Sequence, residues 1–405
     1  MSLSSNPERP AFTRFLKGPV MGAAFLMATS AIGPGFITQT TVFTEQLLTS
    51  FGFIILISIL LDIATQLNIW RIIAVTELRA QDLANQVLPG LGYLLAALVV
   101  TGGLAFNIGN VAGGGLGINV VAGTDTLTGA VISAVIAIII FWFKEAGKAI
   151  DLFSKILGFV MIGLTLYVAI SSNPPIVEAI HHSFIPETID TTAIVTLVGG
   201  TVGGYISFAG AHRLLDANIR GPAALPEVTR SSISAILLAS TMRILLFLAA
   251  LGVVAGGFSL DSANPAASVF RHAAGETGYR IFGVVLWSAA ITSIVGSAYT
   301  SVSFLRTFHP WLDKNHQGLT IAFIVFSTLI FAFIGRPVKV LILVGALNGF
   351  ILPVALAIIL IAALRKRLVK GYKHPLWMSL AGWLVVVMMT IMGFKTIVAD
   401  LGKMW

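Results

Sequence analysis

The stretch Ser30-Ala31-Ile32-Gly33-Pro34-Gly35-Phe36 sits within an apolar run covering residues 19–47, and Gly199-Gly200-Thr201-Val202-Gly203-Gly204-Tyr205 sits within another covering 191–216. Both runs exceed the roughly 20 apolar residues with which a helix crosses a bilayer core, so both interruptions fall at membrane depth. Proline removes a backbone donor and clashes with the preceding turn, while glycine adopts dihedrals that other residues resist. In lipid every freed N–H and C=O needs a partner, so an unwound stretch survives only where protein shields it or where it lines a polar cavity. Taken singly, each cluster also reads as a kink or a small-residue packing face. Their matched positions favour the cavity.

Outward from these two, further apolar runs lie at 51–73, 91–122, 126–144, 150–172, 229–257, 278–304, 317–335, 338–365 and 376–399, which gives about eleven transmembrane helices. The two breaks are about 170 residues apart, each in the first helix of a five-helix set, with one helix left over. An odd number of helices per repeat inverts the second copy, so the broken helices meet near the midplane. The expected architecture is an all-α polytopic membrane protein. It comprises a tail at 1–18, a first five-helix repeat at 19–172, an inverted second repeat at 191–365 and an additional helix at 376–399. The first run is no cleavable signal peptide, since apolar sequence continues past Gly35 without a cleavage pattern.

Composition agrees. The 405 residues are 57% hydrophobic and 10% charged, with a mean hydropathy of +0.94, whereas soluble domains carry about 25% charged residues. The absence of cysteine excludes disulfides, thiolate nucleophiles and iron–sulfur ligation. The net charge of +8 resides in short loops and forms no continuous patch, so it speaks for membrane topology and against nucleic acid. With the N-terminus inside, seventeen basic residues lie on the inner side: Arg9, Arg14, Lys17, Arg71, Arg79, Lys144, Lys148, Arg213, Arg220, Arg230, Arg306, Lys314, Arg365, Lys366, Arg367, Lys370 and Lys373. Six lie outside, namely Arg271, Arg280, Arg336, Lys339, Lys395 and Lys403. The positive-inside rule then puts the N-terminus in the cytoplasm and the C-terminus outside, in a bacterial inner membrane.

These segments resemble the NRAMP family of proton-coupled divalent-metal transporters, which has a LeuT-like fold of two inverted five-helix repeats with helices 1 and 6 broken. Gly33-Pro34-Gly35-Phe36 stands where the family has Asp-Pro-Gly-Asn. Asp82-Leu83-Ala84 matches an Asp-Leu-Ala after its second helix, Asn107-Ile108-Gly109-Asn110-Val111-Ala112-Gly113 its third-helix segment, and Leu352-Pro353 a Leu-Pro in its tenth. The resemblance implies a metal held by a first-helix Asp and Asn and a sixth-helix Met. Gly33, Phe36 and Gly203 take those places here, and a register that aligns the family's sixth-helix His with His212 supplies no Met either. The family's third-helix acids, associated with proton movement, correspond to Asn107 and Asn110. A dehydrated divalent ion needs several ligands, with a carboxylate to offset the cost of leaving water, so no metal ligands are expected.

Half-helix N-termini favour anions, and the residues after the breaks, Thr38, Gln39, Thr40, Thr41, Tyr205 and Ser207, are neutral hydrogen-bonding groups. The expected function is secondary active transport by alternating access of a small carboxylate or amino-acid-like solute such as 5-oxoproline; the alternative is an NRAMP-type divalent cation (Mn, Fe or Mg). The expected substrate-binding set is Gly33, Gly35, Phe36, Thr38, Gln39, Asn107, Gly203, Gly204, Tyr205, Ser207 and Asn348. Coupling to a proton or sodium falls to Asp62, Asn110, His212, Thr292 and Ser293. Intramembrane charge reads as functional by default. Asp62 either carries a proton or pairs with a basic residue, and the other charges at such depth are Lys155 and Arg243. His212 reads as a proton relay or as a capping residue beside Arg213. The stripe Ser288, Thr292, Ser293, Ser297, Thr300 and Ser301 reads as interhelical hydrogen bonding or a sodium site, and Gly113, Gly114, Gly115 and Gly117 as close packing or substrate contact. There is no nucleotide-binding loop, His-Glu-x-x-His helix, nucleophile elbow or filter-like repeat, which argues against an ATP-driven pump, an enzyme and a channel. No cofactor is expected, and the partners are the solute and the lipid bilayer; the oligomeric state is not legible.

Overall fold

In the computed structural model of the chain, residues 31–402 are described, with the backbone alone for 144–155 and 397–402. The tail 1–18, the first half of the first span, Lys403 and the side chains of Lys144, Lys148 and Lys155 lie outside the described residues. Described helices follow one another as α1 Pro34–Leu47, α2 Phe51–Thr76, α3 Ala80–Val87, α4 Leu91–Ala122, α5 Thr126–Trp142, α6 Lys144–Ser171, α7 Ile176–Phe184 and α8 Thr191–Val202. Then come α9 Tyr205–Asp216, α10 Leu225–Ala255, α11 Pro265–Ser303, α12 Pro310–Lys314, α13 His316–Ile334, α14 Pro337–Leu364 and α15 Leu376–Gly402. No strand occurs among the described residues.

Among the described residues eight helical segments are long and apolar enough to cross a membrane, nine when α6 and α7, bent by 106° at their junction, count together. That count takes Pro34–Thr76 as one segment of 43 residues. At 1.5 Å per residue it would span about 65 Å, twice the hydrocarbon core. Leu48, with φ of 48°, ends α1 and separates it from α2. With α5 as a further short apolar helix of 17 residues, each expected run carries a described helix, the first over its second half alone.

The most extensive packing joins α4 to α11, and α2 packs heavily on α10. These are the third span against the eighth and the second against the seventh, so equivalent positions of the two five-helix sets face each other, as two-fold-related repeats require. Missing side chains allow the close approach. Gly113 of α4 faces the Pro34 ring, and a methyl on Gly117 would lie 2.7 Å from the Trp287 backbone nitrogen of α11. Between α8 and α14, Gly199 faces the backbone of Gly345 and Gly349. Without a hydrophobic driving force between helices in lipid, such backbone approach is what holds them.

One span departs from the sequence reading. α11 begins at Pro265, where the Asn264 side chain accepts from Ala267 N at 3.2 Å, well before the apolar run at 278. Gly275, at φ 66° and ψ −166°, separates this outer piece from the membrane segment. The short helices α3, α7 and α12 occupy stretches too polar to stand out as apolar runs.

Candidate substrate site

Gly33 is extended (φ −97°, ψ −176°) and caps α1, whose first residue, Pro34, needs no donor there. A methyl on Gly33 would lie 3.2 Å from Ser293 Oγ of α11 and 3.5 Å from Asn110 Oδ1 of α4. The first break therefore lies against the two long central helices. Further along α1, Gln39 Nε2 donates to Leu341 O of α14 at 2.7 Å, while its Oε1 faces Gly200 of α8. Thr40 and Thr41 turn their hydroxyls to Phe36 O and Ile37 O of their own helix.

The second break is two residues long. Gly203 is extended, and Gly204 has φ 53° and ψ −124°, a region open essentially to glycine. Across the gap Ser207 Oγ donates to Val202 O at 2.8 Å, so that freed carbonyl is satisfied, and Trp70 Nε1 of α2 donates to Ser207 O in the first turn of α9 at 2.8 Å. Asn348 of α14 presses its Oδ1 against Gly204, while its Nδ2 donates to Val344 O at 2.8 Å and Gly102 O at 3.1 Å. Tyr205 starts α9 with its hydroxyl beside Asn110 and Ser297 and its ring edge-on to Phe106 at 5.4 Å. Asn110 thus adjoins both breaks.

On the helices that carry or line the breaks, buried polar atoms lack partners: both amide atoms of Asn107, Tyr205 OH, Ser293 Oγ, Ser301 Oγ, Gln39 Oε1 and Asn348 Oδ1. Each unpaired buried group costs about 1–3 kcal/mol. Several drawn from α1, α4, α9, α11 and α14 have the chemistry of a site for a polar ligand or ordered water. All are neutral. Among the described residues no three His, Asp or Glu side chains converge as a metal site would require.

A charged pair flanks the neutral centre. Arg243 of α10 is 2% exposed; its Nη1 donates to Thr201 Oγ1 of α8 at 2.9 Å, and its guanidinium carbon stands 4.0 Å from the Phe36 ring centroid. Asp62 of α2 is the opposing charge, also beside Thr201.

The other expected positions are dispersed. Thr292 Oγ1 donates to Ser288 O and Ala289 O of its own helix, whereas Ser293 faces Gly33. His212 lies apart from both breaks: its Nε2 accepts from Ala80 N at 3.2 Å at the start of α3, and its ring lies against Phe304 at 5.0 Å. That geometry is a cap. Thr201, which accepts from Arg243 and donates to Leu197 O at 2.8 Å, stood in the quoted second-break stretch but was given no role, since a threonine in a helix carries no positional signal. Arg243 was visible only as an intramembrane charge.

Residues 24–399 match the family described as natural resistance-associated macrophage protein-like. A Bacillus subtilis protein, uncharacterized membrane protein YcsG, is 61% identical over 386 residues, covering 95% of this chain and 96% of the relative. An uncharacterized membrane protein of Haemophilus influenzae is 60% identical over 383 residues, covering 95% and 96%. The Eremococcus coleocola manganese transporter, solved as a mutant, superimposes with a TM-score of 0.77 at 17% identity, covering 100% of this chain and 90% of that one. MhsT in complex with L-phenylalanine gives 0.62 at 16% identity, covering 93% and 98%. By family match, close relatives and shared LeuT-like architecture, this chain is an integral membrane transporter of the Nramp family.

Proposed function

We propose that the chain moves a compact carboxylate or amino-acid-like solute, of which 5-oxoproline is the type, by alternating access. The observation that carries this reading is the set of unpaired amide and hydroxyl atoms on the helices that carry or line the two breaks, with Ser293 against Gly33 and Asn348 against Gly204. Amides and hydroxyls match a solute bearing both donors and acceptors, whereas a dehydrated divalent cation needs a carboxylate to offset its lost hydration. The first residues after both breaks add helix N-termini, which favour a solute carboxylate. A structure of the same architecture is known with an amino acid, L-phenylalanine, bound. Asp62 is the group proposed to carry a coupling proton, with Arg243 the charge that faces it from the helices packed on α2. The proposed setting is a bacterial inner membrane with the N-terminus in the cytoplasm, following the basic loops.

A second reading, divalent-cation transport, is favoured by the fold shared with a manganese transporter. Uptake into proteoliposomes separates the two. Saturable, concentrative accumulation of radiolabelled 5-oxoproline or a similar carboxylate, without manganese uptake, is expected. Manganese uptake with no carboxylate uptake overturns the proposal.

A further inference from the structure

We propose that Arg243 is the anion anchor of the transport site, its Nε–Nη2 edge taking the solute carboxylate in a two-point contact. The inference rests on the reading above that the solute is a carboxylate, and it assigns the residue that selects for it. Arg243 is the charged group placed to sense both breaks: Phe36, on which its guanidinium lies, comes three residues after Gly33, and Thr201, to which Nη1 donates, comes two residues before Gly203. The side chain is 2% exposed, yet Nε and Nη2 have no hydrogen-bond partner. Those two nitrogens form one edge of the planar fork, with parallel N–H bonds spaced to match the two oxygens of a carboxylate. Thr201 occupies the opposite side and Phe36 covers a face, so the fork is oriented and its free edge is the edge suited to bidentate recognition.

Charge balance gives the exchange. Without solute, Asp62 is the counter-charge that faces Arg243, but Asp62 Oδ1 lacks a partner and the pair is not closed by a two-point contact. A solute carboxylate on the free edge supplies that contact and takes over as the counter-ion. Because Phe36 belongs to α1 and Thr201 to α8, binding at Arg243 ties the two broken spans to the α10 scaffold.

The test uses the full-length purified protein in lipid nanodiscs, with binding of 5-oxoproline measured by calorimetry beside 2-pyrrolidinone, the same ring without the carboxylate. Wild type is expected to bind the acid and not the neutral ring. Arg243→Gln is expected to weaken the acid by at least about 100-fold, the low end for two hydrogen bonds to a charged group. Arg243→Lys, a point charge without the fork, falls in between. Asp62→Asn, which removes the competing counter-ion, is expected to bind the acid more tightly than wild type. Should Arg243→Gln fail to fold, the double variant Asp62→Asn/Arg243→Gln leaves no unmatched buried charge and carries the same expected loss. Equal affinity of wild type and the Gln variants for the acid, or weaker binding by Asp62→Asn, overturns the anchor while leaving the carboxylate reading intact. Absence of binding by wild type for 5-oxoproline, L-proline and L-lactate alike overturns the carboxylate reading itself.

Discussion

Gly204→Ala attacks the second break through two separable effects. At φ 53° and ψ −124° an L-residue is held in a region that costs on the order of 1–3 kcal/mol. The added methyl also falls on Asn348 Oδ1, and the Asn348 side chain is pinned by hydrogen bonds from Nδ2 to Val344 O and Gly102 O. Moving it aside gives up those two bonds at roughly 0.5–1.5 kcal/mol each. The expected destabilisation is therefore about 2–6 kcal/mol. A double-mutant cycle with Asn348→Ala divides it: with the amide gone, Gly204→Ala retains only the backbone part, so a coupling of about 1–3 kcal/mol is expected. Unfolding by SDS in mixed micelles, followed by tryptophan fluorescence, measures both numbers, and uptake in proteoliposomes reports on the site. A cost below about 0.5 kcal/mol for the single variant would refute the strained break, and equal costs in the two backgrounds would refute the contact with Asn348.

Other outcomes follow from neighbouring geometry. Gly33→Asp places its β-carbon 3.2 Å from Ser293 Oγ and a carboxylate among Asn110 and the break backbone, so uptake is expected to fall while the amount inserted in the membrane stays at the wild-type level; unchanged uptake would move the site elsewhere. Gly203→Met faces backbone rather than movable side chains, the carbonyls of Gly199 and Asn348, so it is expected to lower the unfolding midpoint and to yield no manganese binding by calorimetry. Beyond the end of α2 Lys370 Nζ donates to Glu77 Oε1 at 2.6 Å, and Arg220 Nε lies 3.7 Å from Glu77 Oε2. The Lys370 hydrogen bond first, and then both charges, hold the Glu77 carboxyl below its ordinary value of 4.5. A carboxyl depressed in the folded state stabilises it above the unfolded value and loses that contribution as pH falls through the lower folded value. Thermal stability between pH 7 and 3 is therefore expected to drop on the acid side below about 4.5, and less steeply for Glu77→Gln; identical acid limbs would refute the latch.

The membrane path was legible because it depends on local chemistry. α4 runs from Leu91 to Ala122, the limits of its apolar run, and the gap between α8 and α9 falls on Gly203 and Gly204 because those residues tolerate its dihedrals. The start of α11 was hidden, since the Asn264 cap and Pro265 open a helix in polar sequence that hydropathy passes over. In the site, Gly33, Asn110, Ser293 and Tyr205 were singled out and are neighbours in the structure. The Arg243–Phe36 stack could not be read in the same way. Hydropathy places a residue at a depth in the membrane, but the rotation of α10 that turns Arg243 toward α1 is set by packing between residues more than 200 positions apart.

The neutral centre and the anchor make different demands on a solute, and that difference is measurable. In the proposed site Arg243 would respond to the carboxylate, whereas Asn107, with donor and acceptor both unpaired, would respond to the rest of the molecule. A site that offers buried polar groups rejects an analogue unable to pair with them, because those groups then stay desolvated without compensation. Cyclopentanecarboxylate has nearly the shape and the whole charge of 5-oxoproline but neither its lactam N–H nor its C=O. Losing two neutral pairings at about 1–2 kcal/mol each makes it a weaker competitor by roughly 30- to 1,000-fold. The same comparison in Arg243→Gln is expected to keep this ratio, since the proposal has the lactam read by groups on α4, α9 and α11 and the carboxylate by α10. Equal competition by the two acids for labelled 5-oxoproline uptake would mean that the unpaired amides and hydroxyls do not face the solute, and that charge alone selects it.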